Sequence, residues 1–371
     1  MVIVGAGAAG GAAAAHLSRS GHDVVLIERD AEPRIKPCGG GMAASVQKWF
    51  PFSLEPAVEQ VVRQVDFSWC LGDPVVAELP GEAPFWIVRR ERLDQLLTDQ
   101  AKQAGAECCA GVTVTDIGRD NDHWSVAAAD GQRWRTRSVV IADGSASPWP
   151  QRLCLGAKRI QTATTMSVRL EGQGRLKNGT TRFEFGLVKQ GFAWAFPVAG
   201  GVNIGVGSFI GKQDADPEQV LSLLLPDLGF PADAGLRQRG QLRVWNGHHR
   251  LNGNGIVVVG DAASLCDPFL AEGLRPALMS GCEAARHLDR WLRGDSNDLR
   301  GYTIAMRQRW GDSMAWGRRI AQVFYRFPGV GYQLGIKRPT APRRIAQILS
   351  GEMGYGDIAQ RVINRLLLQR G

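Results

Sequence analysis

Near the start of the chain, Gly5-Ala6-Gly7-Ala8-Ala9-Gly10 has the residue types and spacing of a phosphate cradle. Gly5 permits a tight turn, Gly7 lets a pyrophosphate approach the backbone, and Gly10 lets a helix lie close to a strand. The N–H groups that open the helix, those of Ala8 and Ala9 among them, are free to face an anion. Glu28 ends the next apolar run, where it can accept hydrogen bonds from ribose hydroxyls, and Arg29 follows it. No arginine replaces that acid, which argues against a 2′-phosphate.

Two further segments place an acid and a glycine directly after an apolar strand. Gly260-Asp261-Ala262-Ala263 follows Ile256–Val259 and leads to Pro268 and Glu272-Gly273-Leu274. An acid there suits the ribityl chain of FAD, and the helix beginning at Gly273-Leu274 suits the flavin pyrimidine ring and diphosphate. Ala142-Asp143-Gly144-Ser145 is the third segment, with Arg90-x-x-Leu93-Asp94 upstream. Taken together, the three segments predict noncovalent FAD.

Other reactive residue types give less. Cys38 precedes Gly39-Gly40-Gly41, three residues that let the backbone approach a flat ring without Cβ clashes. The seven cysteines have no CxxC spacing, and His248-His249 has no partner at metal-ligand spacing; no metal is expected. Free thiols and the lack of a basic segment before the apolar opening point to a reducing, cytoplasmic setting.

These residues need elements to hold them. Residues 2–4 read as a buried strand, followed by an alanine-rich helix to about Ser18 and a strand over 23–28, a βαβ unit. Residues 60–88 alternate as antiparallel strands, 92–104 repeat at helical spacing, and 112–141 return to strand. Residues 160–245 alternate strongly and are rich in aromatics, predicting a second sheet; a strand over 255–261 and a helix over 273–292 follow. The expected fold is α/β (α+β), a Rossmann-like FAD-binding domain interrupted by an antiparallel substrate sheet. The FAD domain takes 1–60, 88–155 and 250–295, the sheet 61–87 and 156–249, and a helical region 296–371, with breaks at Pro328 and Pro339–Pro342.

The chain of 371 residues carries a formal charge of +8, with 44% hydrophobic residues. From Arg318 onward ten Lys/Arg face only Glu352 and Asp357, so this tail holds an excess equal to that of the whole chain. Such a tail suits anionic lipid headgroups, a diphosphate-bearing substrate or an acidic protein partner, or is simply a solvated helical surface. Residues 190–211 are uncharged, but Pro197 and several glycines within them predict a buried sheet segment and no membrane span.

Two further elements narrow the reading. Pro37-Cys38-Gly39-Gly40-Gly41 resembles the Cys-Gly-Gly-Gly element of the geranylgeranyl reductase family. Phe192-Ala-Trp194-Ala-Phe196-Pro197, with Gly205-Val-Gly207 after it, is similar to that family's aromatic-x-Trp-x-Phe-Pro…Gly-x-Gly element, with Phe192 where tyrosine is usual. The resemblance spans roughly residues 1–285 and places the chain near p-hydroxybenzoate hydroxylase-like flavoproteins. It implies reduction of isolated C=C bonds in a polyprenyl chain by reduced FAD, fed by NADPH or a reduced ferredoxin, an acidic carrier matching the basic tail. Cys38, Gly39 and Gly40 would lie at the reaction centre. Phe192, Trp194, Phe196, Pro197, Gly205 and Gly207 would form the substrate site, with Phe67, Trp69 and Phe185 extending an apolar tunnel. A flavin monooxygenase or halogenase shares the FAD segments, although the halogenase-type Trp-x-Trp-x-Ile-Pro element is absent. A non-catalytic prenyl-binding protein that keeps FAD is the remaining alternative. A lipid-like substrate adds peripheral membrane contact to the expectations, and no nucleic-acid partner is among them.

Overall fold

The structure, a computed structural model, describes residues 1–81, 84–209, 216–358 and 360. Its central sheet runs Ile256–Val258, Val139–Ile141, Val2–Val4, Val25–Glu28 and Glu107–Ala110, all parallel, with Asn252–Gly253 antiparallel at one edge. Its inner strands are continuous apolar runs, buried in one core with Ala13, Ala14 and Leu17 of the first helix and with Ile117, Trp124 and Val126 of a three-stranded antiparallel sheet, Val114–Asp120, His123–Ala128 and Arg133–Thr136. The helix Ala8–Arg19 packs between Arg90–Gln103 and Leu274–Leu292. The strand after the first helix begins at Val25, two residues later than its sequence pattern suggests.

The second sheet has seven strands, in the order Gln238–Val244, Gln161–Glu171, Gly201–Ser208, Gly191–Val198, Thr180–Phe185, Gln64–Trp69 and Gly72–Glu78. It is antiparallel except at one pairing, where Gln64–Trp69 runs parallel to Thr180–Phe185. Phe85–Val88 joins neither sheet and lies between Val58–Val62 and Gly41–Ala43. The stretch 160–245 also contains a helix, Pro217–Asp227, started by the Asp216 carboxylate, which accepts the Glu218 N–H at 3.1 Å. Val220, Leu221, Leu224 and Leu225 form its buried stripe, a helical spacing inside a region otherwise of period two. Along Gly191–Val198, alternation sends Ala193 and Ala195 toward that helix, while Phe192, Trp194 and Phe196 belong to the opposite, larger core.

The C-terminal region supplies the helices Asp312–Arg326, Pro328–Gly335 and Ala341–Leu349, restarting at or near the expected prolines. It is tied down by tyrosines. Tyr302 donates to Val258 O at 2.8 Å, Tyr325 to Phe269 O at 2.9 Å, and Tyr355 to the Asp267 carboxylate at 2.7 Å. Tyr332 reaches the carbonyls of Phe67 and Asp73 at 3.0 and 2.6 Å. All four tyrosines of the chain are therefore spent on anchoring this region. Tyr332→Phe is expected to lower stability by about 1–3 kcal/mol, because buried carbonyls lose their donor. Denaturant titration measures this, and a loss below about 0.5 kcal/mol would mean that water replaces the hydroxyl.

Candidate active site

The three strand-end segments converge at the C-terminal edge of the parallel sheet, where open α/β sheets bind ligands. Gly5 sits at φ +104°, and a Cβ there would lie 2.4 Å from Ala142 O. At Gly10 a Cβ would meet Gly5 O at 1.8 Å, so the helix must cross the turn without a side chain. Gly7 differs. Its backbone is extended, and a Cβ would touch only the Arg34 guanidinium, at 3.5 Å. Space is thus kept at Gly7 for something the chain itself does not supply.

Glu28 is buried and accepts the N–H groups of Ala6 at 2.7 Å and Asp30 at 3.1 Å. Arg34 lies 3.2 Å from it and donates to Asp94 at 2.8 Å, while Arg90 grips Asp94 through three contacts of 2.9, 3.0 and 3.3 Å. Arg90 is 7% exposed, so it is not the surface charge that a helix start would suggest. Burial opposes its charge, but the Asp94 carboxylate and the neighbouring Cys38 thiol hold its proton more firmly than water would. Arg29 points to solvent, 3.7 Å from Asp30, and lies outside the cavity lining.

A cavity with an empty volume of about 1170 Å³, its mouth included, joins these parts. Its polar side holds Gly7 to Ala9, Arg34, Lys36, Arg90, Gly144, Gly260 and Asp261; its floor is Leu270 to Leu274, with Leu349 from the C-terminal region. Lys36 pairs with Asp261 at 2.9 Å, and the Gly260 N–H donates to Ser280 at 2.9 Å. Pro268 lies in the buried turn that Asp267 holds by accepting the Phe269 and Leu270 N–H groups at 2.7 and 3.0 Å. Ala271 then adopts a left-handed φ of +55°, the kind of backbone strain found at functional sites.

The opposite wall is aromatic: Phe183, Phe192, Trp194, Phe196, Phe209 and Phe85. Cys38, Gly39, Gly40 and Gly41 lie between it and the polar side. Gly40 has φ +78° and would place a Cβ 2.2 Å from Val88 O. Trp194 Nε1 donates to Asn203 at 2.9 Å, and Asn203 in turn donates to Cys38 O at 3.5 Å, linking sheet and loop. The Cys38 sulfur accepts the Gly40 N–H at 3.3 Å.

Several expected residues act behind this wall. Gly205 and Gly207 do not line the cavity; a Cβ at Gly205 would strike the Trp194 ring at 2.2 Å and one at Gly207 the Phe209 ring at 2.5 Å. They make room for the rings that do. Pro197, Phe67, Trp69 and Phe185 are likewise outside the lining, where Phe183 and Phe209 stand instead of the last three. The ring neighbours of Phe192 are Phe183, Phe185, Trp194 and Phe209. His248 and His249 pair with Asp312 and Asn246 at 3.4 and 2.8 Å.

Sequence reasoning missed Arg34, Lys36, Asn203 and Arg243. Arg243, buried, donates to Ser145 O at 2.6 Å, to Ser147 O and to Ala262 O, joining the Asp143 and Asp261 loops. It also overlooked the acid-base character of Glu272. Burial pushes Glu272 up to about 7 despite Arg275 at 2.7 Å, and pushes Asp143 up to about 6. One carboxylate oxygen of each is buried with no hydrogen-bond partner among the described residues.

These residues fit FAD. The glycine cradle, the free helix start and buried Glu28 suit its adenosine diphosphate half, and the Asp143 and Asp261 loops with Gly273 suit its flavin half. Residues 1–63 match the family described as FAD dependent oxidoreductase. The menaquinone reductase of Mycobacterium tuberculosis is 29% identical over 346 residues, covering 86% of this chain and 83% of that protein. A geranylgeranyl bacteriochlorophyll reductase-like protein of Thermoplasma acidophilum has the same fold, with TM-score 0.79, 19% identity and 87% of each chain covered. So does the flavin-dependent brominase Bmp2, with TM-score 0.74, 20% identity and 99% and 98% of the two chains covered.

Proposed function

We propose that this FAD-dependent oxidoreductase reduces an isolated C=C bond in the polyprenyl chain of an isoprenoid quinone. The observation that carries the reading is the cavity itself. It sets an FAD-fitted polar side, the Cys38–Gly41 loop and a protonatable buried acid against a wall of six aromatic rings. The resemblance to menaquinone reductase supports a quinone, rather than a diphosphate, a chlorophyll-type ring or a glycerolipid, as the carrier.

Reduced FAD, when bound, supplies the hydride for one alkene carbon. The chain must then supply a proton to the other carbon. Glu272, at the cavity floor with a pKa near 7, carries that proton at neutral pH, and Arg275 recovers the carboxylate charge afterwards. Cys38 is the second group beside the loop, with its sulfur engaged as an acceptor. The aromatic wall excludes water and aligns the chain, while Gly39 to Gly41 permit close approach. NADPH and a reduced ferredoxin are the proposed electron donors.

The test is anaerobic. Dithionite-reduced protein is mixed with menaquinone, flavin reoxidation is followed, and fragment masses are read after the quinone has been reoxidised. A gain of two mass units in the tail supports the proposal. A ring-only change, reversed by air, would make the protein a quinone-ring reductase. Product formed only with oxygen would instead favour the monooxygenase or halogenase chemistry.

A further inference from the structure

The surface of the C-terminal helices is unlike the rest of the molecule. Among the described residues ten large hydrophobic side chains are exposed, and four of them fall within the twelve residues 323–334. Val323 is 72% exposed, Phe327 61%, Val330 59% and Leu334 55%. Val330 and Leu334 are one helical turn apart on Pro328–Gly335, Val323 lies in the last turn of Asp312–Arg326, and Phe327 stands at the non-helical junction between the two helices. Folding does not need this face, because the two helices are held from the other side. Phe324 packs on Phe185 and Phe269 at ring distances of 5.3 and 5.2 Å, and Tyr332 is bonded to Phe67 O.

Charge identifies what covers it. Residues 313–351 contain seven Lys/Arg and no Asp or Glu. Arg319, Arg326, Lys337 and Arg338 are exposed on or beside the apolar residues, and only Lys337 has an acidic partner among the described residues, Asp73 at 2.5 Å. Face-to-face pairing of two copies would bring positive charge against positive charge. An apolar cluster rimmed by cations is the pattern of a helix lying in the interface of an anionic bilayer. We propose that the helices Asp312–Arg326 and Pro328–Gly335 dock on an anionic lipid surface, inserting Val323, Phe327, Val330 and Leu334 among the acyl chains. No helix of the described residues is long and apolar enough to cross a membrane, so contact through this face is peripheral. Phe324, beneath the face, touches Phe185, which touches Phe192 of the cavity wall, so the docked surface lies just outside the aromatic pocket. The inference stands apart from the reaction proposed above.

The test is flotation of the full-length, FAD-loaded protein with phosphatidylglycerol-containing vesicles, beside vesicles of phosphatidylcholine alone. The expected result is co-flotation with the anionic vesicles only, weakened by salt and reduced at least about tenfold in Phe327→Ser/Val330→Ser/Leu334→Ser. Melting temperature and flavin absorbance of that variant should match the parent. Equal flotation of variant and parent, or equal binding to neutral vesicles, would overturn the proposal. Self-association abolished by the same substitutions, without vesicle binding, would reassign the face to a second copy. Binding only to an acidic protein would reassign it to such a partner.

Discussion

Replacing Glu272 with glutamine should slow double-bond reduction by about 10²- to 10⁴-fold near pH 7, the usual contribution of a general acid. The protein should still take up FAD. Glutamine keeps the shape and the contact to Arg275 but has no proton to give. The parent rate should fall as pH rises through about 7, the pKa to which burial pushes Glu272, while the residual rate of the variant should lose that limb. Stability supplies a second readout. Because the folded carboxyl holds its proton up to about 7 and the ordinary one only to 4.5, the parent loses stability as pH rises across that window. Glu272→Gln removes its share, leaving a shallower slope from Asp143 and Asp267, which burial also raises. An unchanged pH–rate profile would move the proton source to Cys38 or solvent, with Cys38→Ala as the deciding variant.

Gly7 and Gly10 should separate the cofactor from the fold. A methyl at Gly10 would sit 1.8 Å from Gly5 O, so Gly10→Ala must force helix and strand apart. It should cost several kcal/mol and yield little soluble protein. Gly7→Ala meets nothing closer than the Arg34 guanidinium at 3.5 Å, on a backbone any residue adopts. Its apoprotein should melt like the parent, while FAD binding weakens by roughly 2 kcal/mol, about 30-fold in Kd, because the methyl fills the pyrophosphate's approach. Fluorescence titration with FAD measures the second effect and calorimetry the first. A Gly7→Ala protein with parental affinity would show that the phosphates do not pass over this turn.

The glycine turn and its neighbouring acid were legible in the sequence because their geometry is local. A glycine with φ +104° between a strand and a helix, and an acid closing the next strand, are written within about 25 residues of one another. Arg34 and Lys36 were not legible, because they stand in an irregular loop whose partners, Asp94 and Asp261, are 60 and 225 residues away. Nor was Arg243, since its position in an alternating strand fits a solvated side as well as a buried staple. The parallel pairing of Gln64–Trp69 with Thr180–Phe185 depends on closure across more than a hundred residues, which no periodicity encodes. Gly205 and Gly207, expected at the substrate site, lie outside the cavity lining and give way to Trp194 and Phe209, a relation visible only once strands are paired.

Arg243 also bears on how the protein ages. Its strand, Gln238–Val244, forms an edge of the seven-stranded sheet, and such edges recruit foreign strands when they come loose. The guanidinium clamps that edge to the same two loops that bear Asp143 and Asp261. Whatever steadies those loops therefore guards the sheet against sticking to its neighbours. A preparation that sheds its flavin would begin to cloud long before its helices melt, and added FAD would be the simplest preservative.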